Sequence, residues 1–449
     1  MLKPYEKNPA YWQYKGKPIL LVGGSDEDNP FQWTNKKLTE HLDLLVESGG
    51  NYIRNTMSDR DEGNVYAFKK TDENKYDLNR WNDEYWNRLQ YFLEETEKRD
   101  IIVHLTLWDQ HDHVNNRWDN HPWNPDNNIN YSLEKENNSD VFYSSIKDKR
   151  EKIIKYQKQY INKILSLSIN YDNILYNINN ESWAGHEWEN FWAKYIYKNA
   201  EQKGKEVQIT TMHMRAESSV RTMMDKPDLF SFTDISQNNQ DAFGNSGQKH
   251  MDFLLKWRKI IHSYFDSPRP INNVKIYGGE KGKNYKAGTA VQAVERFWRN
   301  IFGGSASSRF HRPESAWGIG LSPRAQKNLK ALKLFQEYFD IFQSSPHNEL
   351  IVSENEGHYS VPREDNEAYC MADLGDKYAV YFPAEGTVKI DPLVYVDKVK
   401  LRWLDINKCS WTETEYIEVE WSKQHNVKRK GRIRLVNPEN TSRIALLEI

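Results

Sequence analysis

The sequence predicts an α/β protein, with a (β/α)8 barrel over residues 1–345 and a small antiparallel β-sandwich over residues 346–449. Three observations predict it. Apolar strand-like runs alternate with stretches of helical period eight times over about 330 residues, the pattern of a closed parallel barrel. No nucleotide-binding glycine pattern follows the first run: Gly23-Gly24 lacks the G-x-G-x-x-G spacing, and no G-x-x-x-x-G-K-[ST] occurs, which argues against an open doubly wound sheet. Near Pro346 the helical period gives way to short alternating runs and turns.

The elements follow in order. Tyr14 to Ser25 reads as a hairpin turning at Lys15-Gly16-Lys17 and delivering the buried run Pro18–Val22, which ends at Gly23-Gly24. Leu38, Leu42, Leu45 and Val46 recur at helical spacing and stop at Gly49-Gly50. Asn51–Asn55 is the second strand, a helix runs around Trp86, Leu89, Phe92 and Leu93, and Ile101–Leu107 is the third strand. From Lys147 to Asn170 a stripe of Ile153, Ile154, Tyr160, Ile161, Ile164 and Leu165 marks a helix, followed by the strand Asn173–Ile178. A helix is expected from Glu187 to about Lys203, strands at Val207–Met212 and Leu229–Thr233, and a helix from about Gln248 to Tyr264. Val274–Tyr277 is the seventh strand, Thr289 caps a helix carrying Val291, Val294, Trp298 and Ile301, and Ser305–Phe310 is the eighth strand. Ser322-Pro323 opens a closing helix with proline at its first position. In the C-terminal part, Tyr369–Ala372, Tyr378–Phe382, Val388–Ile390, Val399–Trp403, Tyr416–Glu420 and Ile444–Leu447 read as strands.

Composition narrows the function. The 449 residues hold 62 Lys and Arg against 64 Asp and Glu, a net charge of −2, so there is no basic field to hold a nucleic-acid backbone. With 16 Trp, 26 Tyr and 17 Phe the chain can fill a large core and still furnish a surface cleft with rings. A mean hydropathy of −0.88 and no long apolar run argue against a membrane span. Two cysteines, Cys370 and Cys409, make neither a disulfide framework nor a zinc site and are expected to be buried small residues. The N-terminal Met-Leu-Lys-Pro-Tyr-Glu-Lys-Asn-Pro lacks an apolar signal core. The expectation is a periplasmic or secreted protein whose signal is removed, with a cytoplasmic protein as the alternative. Oligomeric state is not readable.

Barrel active sites lie at the C-terminal ends of the strands. The residues ending the apolar runs are Arg54, His104 and Asp109, Asn180-Glu181, His213, Asp234, Glu280, and Arg309 with His311. Glu181 and Glu280 stand out, because a carboxylate ending a buried strand needs partners or a task. Hydrolysis of a glycosidic bond needs one carboxyl group to protonate the departing oxygen and another to attack or to activate water. The two glutamates lie about three βα units apart, as strands four and seven facing each other across a barrel mouth require.

Asn180-Glu181 closing the fourth strand, Glu280 the seventh and Arg54 the second resemble the clan of retaining (β/α)8-barrel glycoside hydrolases that includes cellulases, mannanases and β-galactosidases, over roughly residues 15 to 345. The resemblance implies Glu181 as acid/base, Asn180 as donor to a sugar 2-hydroxyl, Glu280 as nucleophile and Arg54 as the cation holding Glu280 ionised. Tyr277-Gly278-Gly279 before Glu280 departs from the clan and leaves Asp234 as a stand-in nucleophile. The last hundred residues are similar to a β-sandwich often found behind such barrels in bacterial proteins and sometimes called collagen-binding. A retaining pair should stand about 5 to 5.5 Å apart, and the charge on Glu280 should raise the pKa of Glu181.

The loop after the third strand carries Trp108, Asp109, His111, Asp112, His113, Arg117, Trp118, His121 and Trp123, which read as a sugar-binding wall of rings and polar side chains. Trp183 is expected in the pocket, whereas Trp188 and Trp192, four apart on a helix, are expected to pack on the barrel. Lys281, Lys283, Lys286, Arg309, His311 and Arg312 could receive a uronate or sulfate. The resulting expectation is a cofactor-free hydrolase of an oligo- or polysaccharide, with no nucleic-acid partner. Two alternatives stand: a metal-dependent hydrolase using His104, His111, Asp112 and His113, and a non-catalytic carbohydrate-binding protein.

Overall fold

The computed structural model describes residues 1–34, 36–114, 117–133, 138–239, 246–279, 287–313, 317–352, 367–424 and 427–449. Eight parallel strand positions circle the core: β1 Leu21–Ser25, β2 Tyr52–Thr56, β3 Ile102–Asp109, β4 Ile174–Asn180, β5 Gln208–Thr210, β6 Thr233–Asp234, β7 Ile271–Asn272 and β8 Ser307–His311. Strands β2 to β5 form one parallel ladder, β6 pairs with β7, and β8 pairs with β1. Backbone bonds close the remaining gaps: Asn51 N to Val22 O, Ser231 N to Ile209 O, and, between β7 and β8, Ala306 N to Ile271 O and Arg309 N to Asn273 O. An α/β barrel is therefore the architecture.

Among the described residues, eight helices of ten or more residues clad it: α1 Lys36–Glu47, α2 Asp83–Lys98, α3 Glu151–Ser168, α4 His186–Glu201, α5 Ala216–Asp225, α6 Ser246–Phe265, α7 Ala290–Phe302 and α8 Pro323–Gln336. Their ends follow local chemistry. Gly49 takes φ +89° just past α1. Thr289 and Gln292 form a reciprocal capping box on α7, and the Ser322 hydroxyl accepts from Ala325 N ahead of Pro323. Two residues assigned to buried stripes, Val46 and Val291, face solvent instead.

The N-terminal hairpin pairs Asn8–Tyr14 with Lys17–Ile19. Its Trp12 and Tyr14, with Leu2, join Leu21, Tyr52, Ile102 and Leu175 at the starts of the first four strands in one buried cluster, and Trp12 donates to Asn272. The hairpin thus plugs the N-terminal end of the barrel, leaving the opposite end for chemistry. Gly23 and Gly24 lie within β1, not beyond it. A Cβ on Gly23 would stand 2.1 Å from the Tyr52 carbonyl oxygen of the neighbouring strand. Gly23→Ala is expected to cost about 1–3 kcal/mol through this overpacking, measured by urea denaturation; an unchanged midpoint would show that β1 and β2 can part freely.

Three features depart from the sequence reading. Helix α5 was not anticipated, because its buried positions Ala216, Ser219, Val220, Thr222 and Met223 mix polar with apolar residues. A hairpin of Phe68–Lys70 and Tyr76–Trp81 follows β2. The seventh ladder lies at Ile271–Asn272 instead of 274–277, since Val274 N donates to the Ser236 hydroxyl and Val274 O accepts from Arg309. One parallel bridge, Ile276 to Phe310, remains there.

Beyond Pro346 the chain is antiparallel. One sheet orders the strands 345–346, 369–373, 377–382, 443–448, 398–405 and 410–411, with 415–418 also on 398–405; a second orders 351–352, 386–390, 427–437 and 420–424. Side chains alternate along 369–373: Cys370 and Ala372 join Val388, Ile390, Ile433 and Leu435 of the second sheet, while Tyr369 and Met371 join the barrel's own core. Tyr381 meets Trp298 of α7 at 6.0 Å, and Arg299 pairs with Glu367 at 2.7 Å. Cys370 is buried as expected. Cys409 is only partly so and takes φ +49°.

Candidate active site

Strand β4 delivers Asn180 and then Glu181, whose backbone turns into the left-handed region at φ +52°. That conformation is costly for any residue that carries a Cβ. Asn180 is clamped: its Oδ1 accepts from Arg54 at 2.9 Å and from Lys275 at 2.7 Å, and its Nδ2 donates to Asp109 at 2.8 Å. Glu181 Oε1 accepts from Lys275 Nζ at 2.7 Å and from Gln237 Nε2 at 2.9 Å, and Oε2 lies 3.7 Å from His111 Nε2. Glu181 is 6% exposed, while the His111 side chain and Trp183 are 41% and 45% exposed.

Charge decides the state of these groups. Burial pushes the Glu181 carboxyl up, but Lys275 and then His111 outweigh it and hold it down at about 2. The expectation of a raised pKa is therefore corrected. A cation buried beside the carboxylate sets the sign, and it comes from Lys275, which the strand-end survey passed over. Burial lowers Lys275 from the usual lysine value against the pull of Glu181. His111 is raised, first by its hydrogen bond with Asp112 and further by Glu181.

A second cluster braces the first. Asp28, three residues past β1, accepts from Arg54 at 2.7 Å, Arg60 at 2.9 Å and Arg312 at 2.6 Å, and stands 3.2 Å from His311 Nε2. Burial raises its pKa, and Arg312, His311, Arg60 and Arg54 together carry it well below the carboxylate range. Arg60 continues to Asp109 and, at 3.0 Å, to Asp112. Arg54 is thus bound to Asp28 and Asn180. Glu280, Lys281, Lys283 and Lys286 lie outside the described residues.

Several expected substrate contacts are placed elsewhere. His104 sits mid-strand, since β3 runs on to Asp109; it is fully buried and bonded to Tyr52 OH at 3.1 Å. Trp108 is buried among Trp123, Phe142, Tyr160, Trp188 and Trp192, so it packs against the helices and not against a sugar. Trp118 and Trp123 are buried too. His113 is buried against Tyr143 OH at 2.8 Å, and burial lowers it to about 4. Arg309 is internal, donating to Val274 O and to the Ser25 hydroxyl, and His311 is turned onto Asp28. Asp234 is fully buried, accepting from Ser236 N at 2.8 Å, and burial raises it to about 6. His213, following β5, faces Glu189 instead of the Glu181 pair. Asn180, Arg54, Asp109, His111 and Glu181 are the predicted residues that the structure brings together; Trp183 follows Glu181, its N–H held by Gln110 at 2.9 Å.

The metal alternative changes as well. Asp109, His111 and Asp112 group their donor atoms within 4.8 Å, whereas His104 and His113 are held apart by the partners just named. Arg60 already bridges Asp109 and Asp112, so the protein supplies its own cation there.

Sequence reading missed Asp28, Arg60, Gln237 and Lys275. Two of these had a signal: Asp28 follows the end of β1, and Lys275 interrupts the apolar run Val274-Lys275-Ile276-Tyr277, where a charge requires a partner.

Comparison with known proteins places the fold. A crystal structure of a glycoside hydrolase family 5 protein from Bacteroides vulgatus superposes with a TM-score of 0.67 at 13% identity, covering 100% of this chain and 93% of the other. A further glycoside hydrolase structure gives 0.66 at 13%, covering 100% and 96%. A family 39 glycoside hydrolase from the gut symbiont Bacteroides cellulosilyticus gives 0.51 at 11%, covering 95% and 80%. At these identities the likeness is one of fold, and it extends through the C-terminal sheets. The profile of a family described as a domain of unknown function, DUF6298, matches residues 61–237. No curated protein matches the sequence.

Proposed function

We infer that this protein is a glycoside hydrolase cleaving an O-glycosidic bond in an oligo- or polysaccharide. The observation that carries the reading is the Asn180-Glu181 pair at the end of β4, with Glu181 out of strand conformation and held in a buried charge network at the mouth. Residues 1–345 form the catalytic unit in this reading, and 346–449 an accessory sandwich that buttresses α7.

Glu280 attacks the anomeric carbon, and Glu181 serves the leaving oxygen and then water, with retention of configuration. A carboxyl held near pKa 2 is protonated in only about one molecule in 10⁵ at pH 7, so Glu181 does not carry the proton in the empty site. His111, 3.7 Å away, is the neighbouring group that can relay a proton to it once substrate loosens the Lys275 pair. Asn180 Nδ2 keeps one hydrogen for a sugar hydroxyl after bonding Asp109. An anionic sugar finds less support, because Arg309 and His311 are internal and Arg312 is engaged by Asp28.

Glu181→Gln is expected to lower kcat/KM on unactivated oligosaccharides by about 10²–10⁴-fold and to spare kcat/KM on aryl glycosides whose phenol leaves without a proton, while the water-attack step slows on both. Binding should persist. The assay screens neutral and anionic oligosaccharides and follows the anomeric configuration of the product. Equal losses of kcat/KM on both substrate types, or wild-type turnover in the variant, would remove Glu181 from the acid/base role, and oligosaccharide binding without turnover by the wild type would leave a binding protein without chemistry.

A further inference from the structure

The first turn of α4 and the residue following β5 carry donor groups that the catalytic reading leaves unused. His186 and Glu189 stand three apart on the helix and so share a side. His213 joins them from β5, where the parallel bridge between Ser182 and His213 ties that strand to the end of β4. The donor atoms of His186, Glu189 and His213 all lie within 4.8 Å of one another. His186 is exposed and the other two are buried.

Glu189 supplies the independent sign that something is to be bound. Its Oε1 accepts from the Thr211 hydroxyl at 2.9 Å, the kind of outer bond that orients a metal-binding carboxylate. Its Oε2 is sealed from solvent, with His213 Nε2 3.3 Å away as its ion-pair partner. A buried carboxylate needs a cation or a donor, and the imidazole nitrogen that faces this oxygen is shared with the Thr222 hydroxyl. A separation of 3.3 Å is also close to the edge of a tetrahedron with bonds of about 2.0–2.1 Å, so one small ion reaches both atoms without moving them. Thr222 Oγ1, 3.1 Å from the same nitrogen, is the partner such an ion would displace.

The geometry points to a binding site for a divalent cation of the zinc class on His186, Glu189 and His213. Two imidazoles and one carboxylate match the preferences of that ion and leave a fourth position for water. Only His186 has to swing inward. The consequence lies in the connecting loop. Between Glu181 and His186 run Ser182, Trp183, Ala184 and Gly185, with φ of +52° at Glu181 and +87° at Gly185. An ion fastened to His186 on one side and His213 on the other fixes both ends of that loop against β5, and with it the placement of Glu181 and Trp183.

The test uses tag-free full-length protein stripped by chelation, titrated with Zn²⁺ by calorimetry and with Co²⁺ followed by visible absorption. One equivalent should bind, with the absorption bands of four-coordinate cobalt and a rise in thermal midpoint. His186→Ala removes a surface side chain and should weaken binding about tenfold or more; His111→Ala, which breaks the other donor group at the mouth, should leave it unchanged. Binding that survives His186→Ala, that disappears with His111→Ala, or that never reaches stoichiometry would each overturn the assignment. None of these readouts depends on turnover, so a failed glycosidase assay and a failed metal titration remain separate results.

Discussion

Lys275→Met is expected to lower stability by about 3–5 kcal/mol at neutral pH, because it leaves the Glu181 carboxylate buried without its cation. The loss should shrink as the solution is acidified. In the wild type the folded carboxyl sits at about 2, below its ordinary value of 4.5. The ion pair therefore contributes stability that is present above about pH 4.5 and is lost as pH falls toward 2, on the order of 3 kcal/mol. In the variant, burial acts on Glu181 with only His111 and Gln237 to oppose it, so its pKa moves upward. Its penalty is then full above that pKa and is relieved by protonation below it. Urea denaturation of both proteins between pH 3 and 8 should give curves that converge on the acid side. Parallel curves would mean that Glu181 is not paired in solution as it is here.

Asp28→Asn should be equally damaging for the opposite reason. The substitution keeps shape and removes charge, leaving Arg54, Arg60 and Arg312 around an amide that can answer their hydrogen bonds poorly. Arg54, fully buried, then has only amide oxygens as side-chain acceptors among the described residues. The expected cost is about 3–5 kcal/mol, with loss of activity because the same guanidinium clamps Asn180. Arg312→Ala, which removes the most exposed of the three cations, should cost far less. Similar midpoints for the two variants in urea would show that the cluster is solvated and that Asp28 is not its keystone.

Both effects rest on partners that a linear reading does not reveal. Glu181 and Lys275 are 94 residues apart, and Arg54 and Asn180 are 126 apart. The residue types were legible, because Asn-Glu at the end of an apolar run is a local pattern. The sign of the Glu181 shift was not, since it depends on which charge arrives from across the barrel. Local chemistry was legible in the same way: Gly49-Gly50 ended α1, Thr289 opened α7, and Ser322-Pro323 opened α8. Helix α5 was hidden because Ser219 and Thr222 break its apolar stripe. His104 and Trp108 misled for another reason. A histidine or tryptophan in an apolar strand reads identically whether the ring faces the mouth, the floor or a covering helix, and here Tyr52 and the Trp123–Tyr160 group claim them.

The alternation along 369–373 has a bearing on how this polypeptide can be cut. One face of that strand closes on the second sheet, while the other, through Tyr369 and Met371, is continuous with the rings of Trp298, Phe302 and Phe335. A truncation before residue 369 would uncover a broad aromatic surface, an invitation to precipitation. The two parts are thus poor candidates for separate expression or for exchange between proteins, and should melt as a single cooperative unit.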